Sequence, residues 1–196
     1  MIKNILNSVW LLILLILVSC SKSPEDEEES PITSPILTSK YCEPSIRAST
    51  TSYINYFKIN GGAILNHTSG NEGYENNSAS DLSLVSNYSY TFNFGIGDPT
   101  EGLEKQVHIW IDKNQDNDFT DPGEEIFTWN GPNTTDDLQF SGKSIGTISL
   151  TGTTRMRIAM RSSNSSISAI TPCATFTDGE IEDYTINILA APEPLA

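Results

Sequence analysis

The segment TRMRIAMR, Thr154 to Arg161, alternates strictly. Met156, Ile158 and Met160 fall on one side of an extended chain, and Arg155, Arg157, Ala159 and Arg161 on the other. Successive side chains of a strand point to opposite faces, so this pattern suits a half-buried strand and no helix. The same period recurs in EDYTINIL, where Tyr184, Ile186 and Ile188 alternate with Asp183, Thr185 and Asn187. In KQVHIWID, Val107, Ile109 and Ile111 share a face with His108 and Trp110 on the other, which turns His108 toward solvent or the rim of a partner sheet. NYSYTFNF puts Tyr88, Tyr90, Phe92 and Phe94 on one side, and SYINYFKI, EIFTW and IGTISL are weaker strand candidates. Nothing sustains a helical period. The expected fold is all-β: a single antiparallel β-sandwich or jelly roll of roughly seven to nine strands over residues 40–189.

The flanks are of another kind. ILNSVWLLILLILV follows a lone Lys3 and is short for a membrane span. It ends in LVSC, which resembles the lipobox of bacterial lipoproteins. That resemblance implies a signal peptide over 1–19, cleavage after Ser19 and lipid attachment at Cys20, so the chain is anchored to a membrane and not embedded in it. A plain secretory signal or an uncleaved anchor are the alternatives. Residues 20–39 contain an unbroken acidic run, Glu25 to Glu29, amid Ser and Pro, a composition suited to an extended tether. Such a run just after a lipidated cysteine is similar to the surface-export signal of Bacteroidetes lipoproteins. It implies an outer-membrane lipoprotein displayed on the cell surface, in preference to one facing the periplasm. Residues 190–196 form a short Pro-containing tail.

With 11 Lys and Arg against 25 Asp and Glu, the formal charge is −14. Nucleic acids and anionic lipid surfaces need a basic patch and are excluded as partners, which leaves the lipid as the only expected tie to a membrane. Cations are favoured instead. With Cys20 lipidated, Cys42 and Cys173 remain, and in an exported protein a disulfide between them is the simple reading, worth about 4–5 kcal/mol in the chain-entropy picture.

The acids concentrate in WIDKNQDNDFTDPGE, Trp110 to Glu124. Against an EF-hand loop, Asp112, Asn114 and Asp116 fill the first, third and fifth ligand positions. The sixth, a glycine in that motif, is Asn117, a residue that tolerates left-handed backbone. The twelfth is Gly123, with Glu124 one step later, and a strand precedes the loop, so it is not an EF-hand. It reads as a Ca²⁺ loop carried on a strand, with Asp112, Asn114, Asp116 and Asp118 (through its backbone carbonyl) and Asp121 or Glu124 completing the shell. Oxygen-only donors favour Ca²⁺ over Zn²⁺. A solvated Asx-rich turn is the alternative. A second acidic segment, PCATFTDGEIEDYTINI, follows the strand bearing Arg155, Arg157 and Arg161. Those arginines need anions, and Glu180, Glu182 and Asp183 are expected to form a structural charge network with them.

IDKNQDNDFTDPGEEIF, TRMRIAMRSS and PCATFTDGEIEDYTINI together resemble the GEVED domain, a β-domain of secreted and surface proteins, chiefly bacterial. Its naming motif stands here as Gly179-Glu180-Ile181-Glu182-Asp183, with Ile for the usual Val. YCEPS, Tyr41 to Ser45, looks like the family's start, so the resemblance covers nearly all of residues 41–188. The family's acidic loop usually carries Gly where Asn117 stands. The resemblance implies an accessory module without established catalytic activity, of the kind found beside proteases, adhesion-type repeats or secretion tags.

For catalysis the chain offers little. His67 and His108 are the only histidines, and neither is patterned with a nucleophile. Glu124 with Glu125, or Glu180 with Glu182, could form a glycosidase acid pair, but each has a simpler structural task. Trp110, Trp129, Tyr53, Tyr56 and Tyr74 could serve as stacking platforms, though most aromatics of a sandwich are core. The expected function is a non-catalytic binding or adhesion module for an extracellular protein or glycan. The alternative is a secreted hydrolase of glycosidase or protease type.

Overall fold

The computed structural model describes residues 41–48, 52–60, 65–67, 72–97, 103–132, 137–163 and 168–193. The expected signal peptide, lipidation site Cys20 and tether lie outside them. The described residues belong to one compact unit, Thr38–Ala196. Its described residues form ten strands: β1 (Ser45–Ala48), β2 (Tyr53–Asn60), β3 (Leu65–His67), β4 (Tyr74–Val85), β5 (Tyr90–Gly97), β6 (Glu104–Ile111), β7 (Glu125–Pro132), β8 (Asp137–Gly146), β9 (Gly152–Ser163) and β10 (Thr175–Leu189). There is no helix among the described residues.

The strands form the expected sandwich. A six-stranded sheet runs β1-β10-β9-β6-β7, with β4 also on β10, and faces a four-stranded sheet, β3-β2-β5-β8. Most neighbours are antiparallel. Two pairings are parallel: β1 and β4 divide one edge of the long β10 between them. Parallel neighbours need a crossover and not a hairpin, so they leave no short-range trace in the sequence.

Alternation determines the core. Met156, Ile158 and Met160 of β9, Val107, Ile109 and Ile111 of β6, and Tyr184, Ile186 and Ile188 of β10 point inward. They meet Ile54, Phe57 and Ile59 of β2 and Tyr90, Phe92, Phe94 and Ile96 of β5. Burying each such side chain contributes about 1.5–3 kcal/mol. Tyr88 breaks from its expected row: β5 begins at Tyr90, and Tyr88 stands exposed after a turn. IGTISL is likewise displaced, because β8 ends at Gly146.

The outer face of the larger sheet is covered as well. Trp110, Phe119, Ala159, Ile170, Phe176 and Ile181 form a second buried cluster, joined by Tyr41, Ile46, Tyr74 and Ala174. Three segments contribute to this cover: the entry to β1, the β6–β7 loop and the stretch before β10. The disulfide Cys42–Cys173, with Cα atoms 5.6 Å apart, ties the first to the last. His108 and Trp110 are therefore buried and stacked, with His108 Nδ1 2.5 Å from Glu125 Oε1. The outward orientation of these two side chains is as expected, but that side of the sheet is not open to solvent.

Candidate functional site

The loop joining β6 to β7 is built from its own acids. Ile111 N–H donates to Glu124 O at 2.9 Å and closes the hairpin. Asp112 is fully buried: Oδ1 accepts Gln115 N–H at 2.6 Å, and Oδ2 accepts Asn117 N–H at 3.0 Å and the Tyr41 hydroxyl at 2.5 Å. Burial and the bond to Asp112 raise the Tyr41 hydroxyl pKa well above its ordinary value. Gln115 and Asn117 adopt positive φ of 64° and 73°, so the chain coils around the Asp112 carboxylate. Asn117 thus takes the left-handed conformation that the glycine-like position requires.

The loop ends in a four-residue turn, Asp121-Pro122-Gly123-Glu124, in which Glu124 N–H donates to Asp121 O at 3.2 Å. Proline at the second position and glycine with φ 91° at the third are the requirements of a type II turn. Glu124 is buried, accepting Lys113 N–H at 2.9 Å and Asp121 N–H at 3.2 Å, and burial is the main cause of its raised carboxyl pKa.

The six residues read from the sequence as one shell therefore separate into two sets. Asp112 and Glu124 are buried and their oxygens hold backbone N–H groups. Asn114, Asp116, Asp118 and Asp121 are exposed. Asn114 Nδ2 donates to Asp116 Oδ2 at 2.9 Å and to Asp121 Oδ2 at 2.6 Å, so the positive end of an amide dipole lies between two carboxylates. Asp118 Oδ1 accepts both the backbone N–H and the hydroxyl of Thr120, at 2.8 and 2.9 Å, which hold its carboxyl pKa below the usual value. Carboxylate oxygens of Asp116, Asp118 and Asp121 lie within 4.8 Å of one another, a grouping that can hold a metal ion. Asp118 enters it through its side chain, where the sequence reading had assigned it a backbone carbonyl.

The GEIED segment on β10 has a different organisation. Gly179 permits close packing: a Cβ there would lie 2.1 Å from Met160 O and 2.6 Å from the Phe176 ring. Ile181 joins the outer cluster. Asp183, also on the outer face and fully buried, receives Arg157 Nε at 2.6 Å and Nη2 at 2.7 Å, a two-point clamp. Arg155 Nη1 at 3.3 Å and the Tyr74 hydroxyl at 2.9 Å complete its partners, and Tyr74 is pushed up to about 12, first by burial and then by Asp183. Arg157, itself buried, donates onward to Pro172 O at 2.6 Å and Cys42 O at 3.0 Å. It thereby fastens both disulfide-linked segments to the sheet. Arg161 lies 5.7 Å from the Phe176 ring centroid.

Glu180 and Glu182 do not face these arginines. Residues two apart on a strand share a side, and both point inward with Tyr184. Glu180 accepts Ile54 N–H of the opposing sheet at 2.5 Å and Glu72 N–H at 3.3 Å, and the Tyr184 hydroxyl donates to Glu182 at 2.5 Å. The charge network expected with Arg155, Arg157 and Arg161 is therefore corrected here: of the three acids, Asp183 faces the arginines. Glu75 of β4 joins Glu180 and Glu182 in a second carboxylate group within 4.8 Å. Burial first, and then the neighbouring Glu182, push Glu180 up to about 8. Glu75 was missed because it lies opposite Glu182 only through the parallel β4–β10 register.

No curated protein matches the chain in sequence. Among solved structures, the chain is matched to the CARDB domain of a Pyrococcus furiosus protein in complex with di-metal ions, at 7% identity and a TM-score of 0.37, covering 76% of this chain and 99% of that one. Residues 106–187, from β6 through the acidic hairpin to the body of β10, match the family model of the GEVED domain.

Proposed function

We propose that this chain is a lipid-anchored, surface-displayed, non-catalytic binding module whose acidic hairpin holds a structural Ca²⁺. The grouping of the Asp116, Asp118 and Asp121 carboxylates on a pre-shaped loop carries the Ca²⁺ reading. All donors are oxygens, and the three acids are exposed, whereas Asp112 and Glu124 are buried in the loop's frame. This donor set fits a hard cation. When bound, the ion supplies charge neutralisation, and the protein's own Asn114 amide and Thr120 donors hold the carboxylates in place. The non-catalytic reading is supported by the work already assigned to the candidate acids: Glu124 frames a loop, and Glu180 ties one sheet to the other.

Calorimetric titration with CaCl₂ and melting curves with and without EGTA test the ion. A heat of binding and a higher Tm in Ca²⁺ are expected; no heat and an unchanged Tm would sink the claim. The anchor is tested by Cys20→Ser, which should move the protein out of the membrane fraction. Surface display predicts that protease added to intact cells removes the domain, whereas full protection would place it inside the envelope.

A further inference from the structure

The disulfide that ties the outer cover together has two unlike ends. Cys173 is exposed, whereas Cys42 is half-buried. The second difference is a hydrogen-bond donor. A guanidinium carries five N–H groups, and Arg157 directs every one of them. Nε reaches Asp183 Oδ1, and Nη2 reaches Asp183 Oδ2 and Cys42 O. Nη1 reaches Pro172 O and, with its other hydrogen, Cys42 Sγ at 3.5 Å.

A disulfide sulfur is a weak acceptor, so the fifth bond contributes little while the bridge is closed. A thiolate carries a full charge, and charge-assisted hydrogen bonds are roughly twice as strong as neutral ones. The Arg157 donor therefore gains strength only when the bridge opens with its electron pair left on Cys42. The surrounding charge acts in the same sense, because Arg155 and Arg157 share the single carboxylate of Asp183. Arg157 is buried and clamped, so the donor is in place before any reaction.

In thiol–disulfide exchange an incoming thiolate attacks one sulfur and expels the other. Access selects the sulfur attacked, and stabilisation of the departing thiolate speeds the step. Both differences point the same way. We propose that the bridge is a thiol-exchange site of fixed polarity, in which an external thiolate attacks Cys173 and expels Cys42 as a thiolate held by Arg157. The incoming sulfur bonds to Cys173 Sγ, the electron pair of the broken S–S bond stays on Cys42 Sγ, and one disulfide replaces another without net oxidation.

Opening the bridge leaves its two ends together. β1 and β10 pair from Ser45 and Thr175 onward, within three residues of the cysteines, and Arg157 holds Cys42 O and Pro172 O at once. The Cys42 thiolate is thus placed to attack Cys173 in turn, expel the outside thiol and restore the bridge.

The test treats the full oxidised chain, purified in detergent, with reduced glutathione. Early samples are quenched in acid, alkylated and digested. Peptide masses should show glutathione on Cys173 and the alkyl group on Cys42, in about tenfold excess over the reverse pattern. Equal amounts of the two patterns, or glutathione mainly on Cys42, would overturn the proposal. So would no adduct under conditions that open the bridge in the urea-unfolded chain. Arg157→Lys keeps a cation but cannot span the five acceptors, and its exchange should be slower by about threefold where melting curves show both chains folded. A merely structural role for Arg157 predicts the opposite, since a loosened bridge exchanges faster, and equal or faster exchange would remove Arg157 from the proposal. The wild-type map decides the site of attack whether or not that variant folds.

Discussion

The hairpin between β6 and β7 and the GEIED stretch of β10 are equally crowded with acids, but they neutralise charge by different means. In the hairpin, buried Asp112 and Glu124 are surrounded by backbone N–H groups, and Asp116, Asp118 and Asp121 face solvent. On β10 the acids are buried on both faces, with Asp183 held by arginine outside and Glu180 favouring its protonated form inside. Spacing in the sequence is thus a poor guide to what an acid does. Which face it is on, and what reaches it, decide between a ligand position, a clamp and a proton store.

The arginine clamp should give the largest effect. Arg157→Ala leaves Asp183 buried opposite a void, and removing one partner of a buried pair costs about 3–5 kcal/mol. Urea denaturation should show that loss. Adding Asp183→Asn should recover part of it, since the uncompensated charge is then gone. A double variant no more stable than Arg157→Ala would mean that Arg157 acts through Pro172 and Cys42, and not through charge.

The inner acids predict a pH dependence of unusual sign. Glu180 is raised from 4.5 to about 8 in the folded state. Between those values the folded chain keeps a proton that the unfolded chain has released, so this group's contribution is complete below about 4.5 and is lost as pH rises toward 8. The slope for one such proton is on the order of 1 kcal/mol per pH unit. Glu180→Gln should flatten the fall in stability between pH 5 and 8. Asp118, lowered by its bonds from Thr120, works in the opposite sense: its contribution is present above the unfolded pKa and is lost on acidification. If Glu180→Gln leaves the neutral-pH profile unchanged, the inner cluster does not store a proton.

Much of this was legible in the residues. Alternation in TRMRIAMR and EDYTINIL identified inner and outer faces correctly, because a strand's period is independent of its neighbours. The family resemblance was carried by the same segments, and Cys42 and Cys173 do form a disulfide. What stayed hidden depended on long-range register. Glu75 reaches Glu182 across a parallel pair, and His108 and Trp110 are buried by segments far away in sequence. The expectation that Glu180 and Glu182 would serve the arginines failed at a simpler point. They lie an odd number of residues from Asp183, so they could not share its face. The hairpin's six candidate ligands were found as a group; their division was not, because Asp112 is met by the hydroxyls of Tyr41 and Thr154, both far away in sequence.

Calcium should distinguish the two acidic regions. An ion that binds only the folded hairpin stabilises by about 2.7 kcal/mol at a hundredfold excess over Kd. Asp116→Asn with Asp121→Asn should abolish the rise in Tm with Ca²⁺, and Glu180→Gln should keep it. A rise abolished only by Glu180→Gln would transfer the ion to the inner cluster, whose three carboxylates are also within 4.8 Å.

The smallest effect tests the hairpin's one departure from a glycine turn. Asn117 holds φ 73°, and what reaches Asp112 is its backbone N–H, which every residue except proline provides. Asn117→Gly keeps that bond and removes any left-handed strain, but it adds freedom to the unfolded chain. The two nearly cancel, so stability should change by less than about 0.5 kcal/mol. Asn117→Ala keeps the bond and pays the strain in full, about 1–2 kcal/mol. Thermal melts of both variants without Ca²⁺ should therefore rank glycine near wild type and alanine below it. A loss with glycine as large as with alanine would mean that the Asn117 side chain itself supports the loop, and that backbone geometry alone does not explain its place there.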